Sequence, residues 1–490
     1  MQRDEELLTA WLPELLYADG RFARGLALVV DGAGRIEHIA RADQILPARI
    51  IRLPGRALLP GLVNAHSHSF QRVIRGRTEH RAAARDSFWT WRAQMYAAAA
   101  RLTPEDMYDA ARMAFLEMAL TGITAVGEFH YLHHAPDGTP YADPNLLAHQ
   151  VVRAAQDVGL RIALLRVAYA RSGVGTPPNP QQARFIEAEP EIYLRNTEAL
   201  IADLTRAEIG GLEHTRRAWV GVAPHSIRAV PVDYLIHASN FAIKHGLPVH
   251  MHIAEQPADL TAWLQETGCS PLMWLGSEGM LGPHFTAVHA IHFEPRLKAG
   301  DLQYLRKTGA SICACPTTER NLGDGIIPAD LYFAAGVPIA LGTDSHAQID
   351  LLEDARELEY HLRLQKLERA VLDPMRAGAD ESVETDGAQL AGLAARLFDC
   401  ATTNGARSIA APGGTLAVGR TADFFTVDLN DPSIAGAQAQ DLLPAVVFAL
   451  TRAAVSEVVV GGQLIVQSGQ HAAQEEIIER FKALQTRLWA

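Results

Sequence analysis

The sequence predicts an α/β fold, a (β/α)8 TIM-like barrel with a small β-sandwich domain formed from both chain ends. Three observations support this prediction. Eight short apolar runs alternate with stretches of helical character, most of these runs end in polar residues capable of chemistry, and both flanks show β-type alternation with glycines. Continuous apolarity is expected of parallel strands that are buried on both faces, and eight such strands can close into a barrel.

The predicted barrel strands follow one another through the middle of the chain. In order, they cover 57–68, 122–130, 161–169, 219–225, 247–255, 285–292, 310–316 and 337–346. The first connecting helix is the clearest, because Thr103 and Asp106 form a capping-box pattern around Pro104, and Gly122 suits its end. Since the active site of such a barrel lies at the carboxyl ends of its strands, we expect the polar residues there to converge.

The remaining segments complete the predicted domain organisation. The barrel is expected to span 59–405, the small β-domain 1–58 plus 406–472, and a C-terminal helix 473–490. The connection 69–102 is long for a loop that follows a strand, and its segment 86–92 carries aromatic side chains and a cation. We expect this connection to form a lid that excludes water from the site.

Composition excludes several classes of function. The formal net charge of −12 comes from interspersed acidic residues, which argues against binding to nucleic acid or anionic membranes and favours a small-molecule partner. The first residues are charged and the apolar stretches are interrupted, so we expect no membrane span and a cytoplasmic protein. The four cysteines are too few and too scattered for a disulfide framework, and we expect them to be reduced.

Histidines at the predicted strand ends indicate a metal site. His66 and His68 are two positions apart on one strand and therefore point to the same face, while His252 and Asp344 end two later strands. A single histidine at a strand end is usually a core or surface residue, but several independent strand ends of one barrel weaken that interpretation. Three histidines and a carboxylate would hold a zinc-like ion and leave one coordination position open, with iron as the alternative metal.

Two features refine this ligand set. His250 points in the same direction as His252, but His252 is preferred because Glu255 follows it by three residues. A binuclear site of this architecture would want a bridging lysine from the middle of the barrel. Lys244 belongs to a helix-like stretch, and the next lysine is Lys298, so one metal ion per subunit is expected.

The neighbouring residues suggest the remaining catalytic roles. Glu255 can move a proton between the attacking water and a leaving nitrogen, because a carboxylate beside a cation and a substrate can shuttle protons. His289 is expected to stabilise or orient the developing tetrahedral centre. Asp344 can also accept a hydrogen bond from the water, and His346 is expected to be a supporting or exposed residue rather than a further ligand.

Several longer segments form motifs that can be compared with those of known protein families. They are His66-Ser67-His68-Ser69-Phe70-Gln71-Arg72, the segment 86–92, Phe129-His130-Tyr131, the segment 137–144, His225-Ser226-Ile227-Arg228 and the segment 318–326. With these segments the chain resembles the amidohydrolase superfamily, in the mononuclear branch that deaminates amidine-like carbons. Within that branch it is most similar to the formimidoylglutamate deiminase family. The superfamily motifs extend from Pro60 to Asp423 and so cover most of the chain.

The resemblance implies a substrate and its contacts. It implies that Gln71, Arg92, Tyr131, His225 and Arg228 bind the substrate, and that N-formimino-L-glutamate is hydrolysed to N-formyl-L-glutamate and ammonia, a reaction of histidine degradation. It also favours a homodimer with one Zn²⁺ per subunit. The chemistry agrees, because two guanidinium groups suit a substrate that bears two carboxylates.

Two rival functions stay open at this point. A nucleobase deaminase, or a deaminase of another amidine or guanidino acid, would use the same metal machinery with a different pocket. Aromatic cages rather than paired arginines would favour a nucleobase. A non-catalytic barrel protein is the other rival, and it would be indicated by an absence of bound metal.

Overall fold

The computed structural model describes residues 8–44, 49–81, 86–209, 217–374 and 392–490. The strands are β1 Thr9–Ala18, β2 Arg21–Arg24, β3 Leu26–Val30, β4 Ile36–Arg41, β5 Arg49–Pro60, β6 Leu62–Ser67, β7 Ile123–His130, β8 Arg161–Ala168, β9 Ala218–Pro224, β10 Val249–Ile253, β11 Phe285–His289, β12 Ser311–Ala314, β13 Ile339–Leu341, β14 Phe424–Asp428, β15 Val455–Val460, β16 Gln463–Gln467 and β17 Gln470–His471.

The α-helices connect and cover these strands. They are Phe88–Ala99, Pro104–Leu120, Leu146–Val158, Pro190–Ile209, Val232–His245, Pro257–Thr267, Pro271–Ser277, Lys298–Thr308, Pro316–Leu322, Ala329–Ala334, Leu351–Lys366, Gly392–Ala401, Thr403–Ser408, Leu442–Ala449 and Gln474–Trp489. Short 3-10 turns lie at Ala42–Gln44, Ser69–Ile74, Pro180–Gln182 and Arg452–Ala454. Within the described residues, no helix combines the length and apolarity needed to cross a membrane.

The eight strands β6 to β13 form the predicted parallel barrel, with neighbours in sequence order. Each predicted run contains one of them, and their side chains are buried throughout. The first run, however, divides at Gly61. Before it, Pro60 pairs with Phe424 in the small sheet, and after it, Leu62 pairs with Ile123 in the barrel. The chain therefore passes between the two sheets inside one apolar run.

The barrel closes between β6 and the segment after β13. His68 N–H donates to Asp344 O at 3.0 Å, and Asp344 N–H donates to His66 O at 3.0 Å. Gly342 makes this approach possible, because a Cβ atom there would lie 2.7 Å from the Cβ of His66. The closure places residues from the first and last barrel strands side by side, at the carboxyl ends.

Strands from both chain ends form one mixed sheet of nine strands, as the fold prediction requires. The sheet has a small apolar core of its own, in which the ring centroids of Trp11 and Phe424 lie 5.1 Å apart. A fully buried ion pair joins this sheet to the barrel: Arg161 Nε lies 2.7 Å from Asp423 Oδ2. The exact domain boundaries given above stay a prediction.

Two helices behave as their sequences indicate. Thr103 and Asp106 form the capping box of Pro104–Leu120, whose first residue is the expected proline. The C-terminal helix Gln474–Trp489 packs against it, and Arg480 Nε lies 2.7 Å from Asp109 Oδ1. All four cysteines are free thiols.

Candidate metal centre and active site

Four side chains from three regions of the barrel converge on one point. The ligand atoms of His66, His68, His252 and Asp344 all lie within 4.8 Å of one another, and all four residues are buried. His66 and His68 come from β6 and its end, His252 from β10, and Asp344 from the segment after β13. These are the four residues that the sequence analysis selected.

The surroundings of each histidine direct one ring nitrogen toward this point. The Nδ1 of His68 lies 2.9 Å from Phe129 O, and the Nδ1 of His252 lies 2.8 Å from His225 O. A carbonyl accepts only, so each Nδ1 carries a hydrogen, and Nε2 is the nitrogen through which either ring could ligate a metal ion. Neither ring nitrogen of His66 has a hydrogen-bond partner among the described residues, although its Nε2 lies 3.4 Å from Asp344 Oδ1.

The protonation states also suit a metal ion. Burial lowers the pKa of His66 to about 3, and burial lowers that of His252 well below its usual value, so both imidazoles are neutral. Burial alone would raise the pKa of Asp344, but the adjacent His66 and His68 hold it well below its usual range. A fully buried imidazole without hydrogen bonds, beside two further imidazoles and a carboxylate, fits a divalent cation of the zinc type.

Glu255 and His289 lie beside this cluster. His289 Nε2 is 3.6 Å from Glu255 Oε1 and 3.8 Å from Asp344 Oδ2, while its Nδ1 is 3.2 Å from Glu319 Oε1. Burial would lower the pKa of His289, but the three carboxylates around it raise that pKa to about 10. Burial raises the pKa of Glu255, and His289 opposes this rise. The pair thus combines a cationic imidazole with a carboxyl group that can hold a proton.

The backbone at these strand ends is strained. Ala254, His289, Ala290, Asp344 and His346 all have positive φ angles between 42° and 67°. Side chains other than glycine seldom adopt this conformation, and such strain concentrates at functional sites, where the surrounding structure maintains it. Here it turns the chain sharply after β11 and β13 and directs His289 and Asp344 into the site.

A cavity next to the metal cluster is lined by the predicted substrate residues. It is lined by His68, Gln71, Phe88, Trp91, Arg92, Met95, Tyr96, Tyr131, Tyr169, His225, Arg228, His252, Glu255, Leu322 and Asp344. Each of the five residues that the resemblance implied is among them. Segment 86–92, expected in a lid, contributes Phe88, Trp91 and Arg92 to this lining, at the start of helix Phe88–Ala99.

The polar groups of the five predicted substrate contacts differ in whether they already have a hydrogen-bond partner. Gln71 Nε2 donates to Tyr131 Oη at 2.9 Å, and its Oε1 has no partner among the described residues. His225 Nδ1 lies 3.1 Å from Ser226 Oγ. The Nη1 of Arg92 is buried without a hydrogen-bond partner in the described part of the chain, while Arg228 Nη1 lies 2.5 Å from Asp259 Oδ2.

The structure separates the residues about which the sequence left a choice. The Nε2 of His250 lies 3.0 Å from Ser408 O, and His250 is not a member of the four-residue metal cluster. His346 is fully buried and acts as a support, because its Nε2 lies 3.1 Å from Ser67 Oγ and its Nδ1 3.1 Å from Thr343 Oγ1.

Several residues of the site were not selected from the sequence. Glu128 accepts hydrogen bonds from Ser67 Oγ at 2.5 Å and from Ser69 N–H at 2.7 Å, which fixes the backbone around His68. Tyr169 lines the cavity, and its position at the end of the third predicted run was a usable signal. Asp259 gave no comparable signal, because it lies inside helix Pro257–Thr267.

Comparison with known proteins agrees with this geometry. The sequence profile of the amidohydrolase family matches residues 57–465. A formimidoylglutamate deiminase from Pseudomonas aeruginosa is 38% identical over 429 residues, which cover 87% of this chain and 88% of that protein. An 8-oxoguanine deaminase from the same organism is 30% identical over 355 residues, covering 72% of this chain and 71% of its own length.

A solved structure extends the likeness to three dimensions. The crystal structure of an amidohydrolase from Brucella melitensis superposes with a TM-score of 0.85 at 32% identity, covering 99% of this chain and 100% of that one. The match therefore includes both the barrel and the sheet built from the two chain ends. The chain belongs to the amidohydrolase family and, within it, to the formimidoylglutamate deiminase family.

Proposed function

We propose that this enzyme hydrolyses N-formimino-L-glutamate to N-formyl-L-glutamate and ammonia. The observation that carries the proposal is the position of two arginines, Arg92 and Arg228, in the same cavity as the four-residue metal cluster. The substrate has an amidine at one end and two carboxylates near the other, so it needs a hydrolytic centre and cationic groups in one pocket. The relative of 38% identity carries the name of this activity.

The cavity walls suit a dianion. The unpartnered Nη1 of Arg92 can donate to a carboxylate without breaking an existing ion pair. Arg228, Gln71, Tyr131 and His225 add further donors around the same space. Hydrogen bonds between a guanidinium and a carboxylate are charge-assisted and strong, so a monoanionic analogue should bind less tightly.

The chain's own residues supply the proton transfers. A zinc ion held by His66, His68, His252 and Asp344 would supply the positive charge that lowers the pKa of a water molecule from its bulk value to about 7. Glu255 takes a proton from the attacking water, whose oxygen forms a bond to the formimino carbon. His289, held as a cation by three carboxylates, stabilises the charge that develops there. Glu255 returns this proton to the terminal nitrogen and then carries the second proton of the water from the new hydroxyl group to the same nitrogen. The carbon–nitrogen bond breaks, the carbon–oxygen double bond of the formyl group forms, and ammonia leaves.

The donor set supports the proposed metal. Three imidazoles and one carboxylate suit zinc, and the same set accepts Fe²⁺, so zinc is the proposed native metal and iron the alternative. We also propose a role in histidine degradation, a homodimer and a cytoplasmic location, each of which stays a prediction.

One specific observation favours a second candidate. The rings of Phe88, Trp91, Tyr96, Tyr131 and Tyr169 line the cavity, as they would in a nucleobase pocket. The 8-oxoguanine deaminase relative carries the name of such an activity. Arg92 distinguishes the candidates, since its half-buried guanidinium has no carboxylate partner among the described residues and a neutral base would give it no counter-charge.

The experiment is a measurement of ammonia release by the zinc-loaded enzyme over a panel of substrates. The panel contains N-formimino-L-glutamate, formiminoglycine, formiminoaspartate and N-guanyl-glutamate, with cytosine, guanine and 5-methylthioadenosine as the rival set. We expect kcat/KM for the glutamate compound to exceed every other value by about 100-fold or more. Preference for a nucleobase would overturn the proposal and keep the metal chemistry.

A further inference from the structure

The two arginines of the cavity differ in whether a nearby carboxylate compensates their positive charge. Arg228 is buried with Asp259, and the 2.5 Å separation of their charged atoms means that the pair contributes little net charge. Arg92 instead lies against aromatic rings, 4.5 Å from the centroid of Trp89 and 5.5 Å from that of Tyr96. A substrate with two carboxylates therefore meets one uncompensated guanidinium and needs neutral donors for its second charge.

A cluster of neutral groups lines the same cavity. The hydroxyl oxygens of Tyr96 and Tyr169 lie 3.4 Å apart, and both side chains line the cavity. Gln182 lies behind them, with its Nε2 3.0 Å from Tyr96 Oη and 2.7 Å from Tyr169 Oη. All three residues are buried. We call these three residues the tyrosine cluster.

The backbone fixes the direction of the hydrogen bonds in this cluster. Asn179 N–H lies 3.3 Å from Gln182 Oε1, and the Ser172 hydroxyl also donates to that oxygen. A backbone N–H can only donate, so the amide oxygen must face Asn179 and the amide N–H groups must face the tyrosines. Both phenol oxygens are therefore acceptors toward Gln182, and their own hydrogens are not used by it.

At least one phenol hydrogen is left for a ligand. The two hydroxyls can make one hydrogen bond with each other, and the remaining O–H has no acceptor among the described residues. Burial raises the pKa of Tyr169 well above its usual value, so the phenol keeps its proton. The Tyr169 ring also packs 4.5 Å from the ring of His225, which holds the hydroxyl in place.

We propose that Tyr169 and Tyr96, oriented by Gln182, form a second binding group for a substrate carboxylate, complementing Arg92. In this group, Tyr169 and Tyr96 are specificity-determining residues and Gln182 is a positioning residue. The inference rests on the proposed function, because it requires a substrate with two carboxylates. It assigns the preference for a dianion to neutral donors as well as to Arg92.

The first test removes the phenol hydrogens. In the zinc-loaded enzyme, Tyr169→Phe and Tyr96→Phe are each expected to raise KM for N-formimino-L-glutamate by about 10-fold or more and to change kcat by less than about 3-fold. For formiminoglycine, which lacks the second carboxylate, the same variants should change KM by less than about 3-fold. Tyr360→Phe, which makes the same change on a helix outside the cavity, is the matched control.

The second test reverses the donor pattern. Gln182→Glu presents acceptors to both tyrosines, draws their hydrogens away from the cavity and should raise KM by about 10-fold or more. Gln181→Glu adds the same charge on the exposed neighbouring side chain and should leave KM unchanged. In the Tyr96→Phe/Tyr169→Phe background, Gln182→Glu should add little, because the hydrogens it redirects are already absent.

The outcomes separate the two proposals. If the wild-type enzyme does not release ammonia from N-formimino-L-glutamate, the proposed function fails. If it does, and the phenylalanine variants keep the wild-type KM, the inference alone is overturned. A full additive loss from Gln182→Glu in the double-phenylalanine background would also overturn it, since charge repulsion would then explain the effect. Each single variant carries the test if the other fails to fold.

Discussion

Histidine side chains have different roles in this site because their surroundings differ. His66 is buried among other imidazoles and stays neutral, with a pKa of about 3. His289 is equally buried but lies among three carboxylates, which raise its pKa to about 10 and keep it cationic. A neutral imidazole can ligate a metal, whereas a cation can stabilise negative charge on a substrate. The assignment of roles therefore follows from the local charges.

The substitution Glu255→Gln tests the proposed role of Glu255 in proton transfer. The amide fills the same space but cannot take a proton from the attacking water, so we expect kcat to fall by about 100- to 10,000-fold. The metal content should be unchanged, because Glu255 is outside the ligand set. Ammonia release and metal analysis of the purified variant measure these two quantities.

The control for this substitution is Glu278→Gln, which makes the same change at an exposed position. It should retain wild-type kcat and metal content. A Glu255→Gln enzyme with kcat within about 10-fold of the wild type would assign the proton transfers to another group.

At the scale of elements, the strand ends of the barrel position the ligands, and the sequence was most informative there. The pair His66 and His68 was predictable because alternate strand residues share a face. Arg92 was identified through a family motif, since it lies on a connecting helix that the strand pattern does not locate. The approach of Gln182 to Tyr169 joins a loop turn to a strand end, and only tertiary packing determines that contact.

The close approach of β13 and β6 gives a prediction for Gly342→Ala. The new methyl group would lie 2.7 Å from His66 Cβ and 2.9 Å from His66 O, so the barrel must open slightly at the metal cluster. We expect the free energy of unfolding to fall by about 2 kcal/mol and the affinity for zinc to fall with it. Urea unfolding and metal titration provide the measurement.

Gly173→Ala is the comparison variant, because its nearest neighbour lies at an ordinary distance of 3.6 Å. Equal stability and equal zinc affinity in the two alanine variants would show that the barrel closure does not depend on this glycine.

A buried ion pair between β8 and the segment that precedes helix Pro190–Ile209 gives a pH prediction. Burial would raise the pKa of Glu187, but Arg166, whose Nη1 lies 2.6 Å away, lowers it from 4.5 to about 2. A lowered carboxyl pKa stabilises the fold above the unfolded value and loses that contribution as pH falls toward the folded value. We expect the stability advantage of the wild type over Glu187→Gln to shrink by about 2 kcal/mol between about pH 5.5 and about pH 3.

Urea unfolding at the two pH values measures this difference, with Glu191→Gln, at an exposed position in the first turn of helix Pro190–Ile209, as the control. A difference between wild type and Glu187→Gln that stays constant with pH would contradict the assigned pKa.

At the scale of the whole molecule, a buried ion pair connects the barrel to the sheet built from both chain ends. Asp423 accepts from Arg161 Nε at 2.7 Å and from Gly461 N–H at 2.6 Å, and the arginine is fully buried. Asp423→Ala removes the buried carboxylate that accepts from Arg161 Nε and Gly461 N–H, so we expect the free energy of unfolding to fall by about 3 to 5 kcal/mol. Asp43→Ala, at an exposed position, should have a negligible effect.

Calorimetry of the metal-loaded enzyme measures this effect. A loss below about 1 kcal/mol would mean that the sheet and the barrel are held together by apolar packing, with the ion pair contributing little.

The global architecture was predictable because it depends on repeated local patterns. Buried parallel strands give continuous apolar runs, and each of the eight predicted runs contains a barrel strand. The division of the first run at Gly61 was not predictable from apolarity, because both halves are buried and the change of sheet depends on pairing partners far along the chain. Asp423 appeared in the sequence as part of a motif, and its partner Arg161 was identified by the fold.

The most direct test of the account is identification of the products by carbon NMR, with N-formimino-L-glutamate labelled at the formimino carbon. That carbon bears two carbon–nitrogen bonds, and a deiminase cleaves the bond to the terminal nitrogen. We expect one labelled N-formyl-L-glutamate for each ammonia released. Labelled formamide together with free glutamate would show cleavage of the other bond and would contradict the assignment of the enzyme as a deiminase.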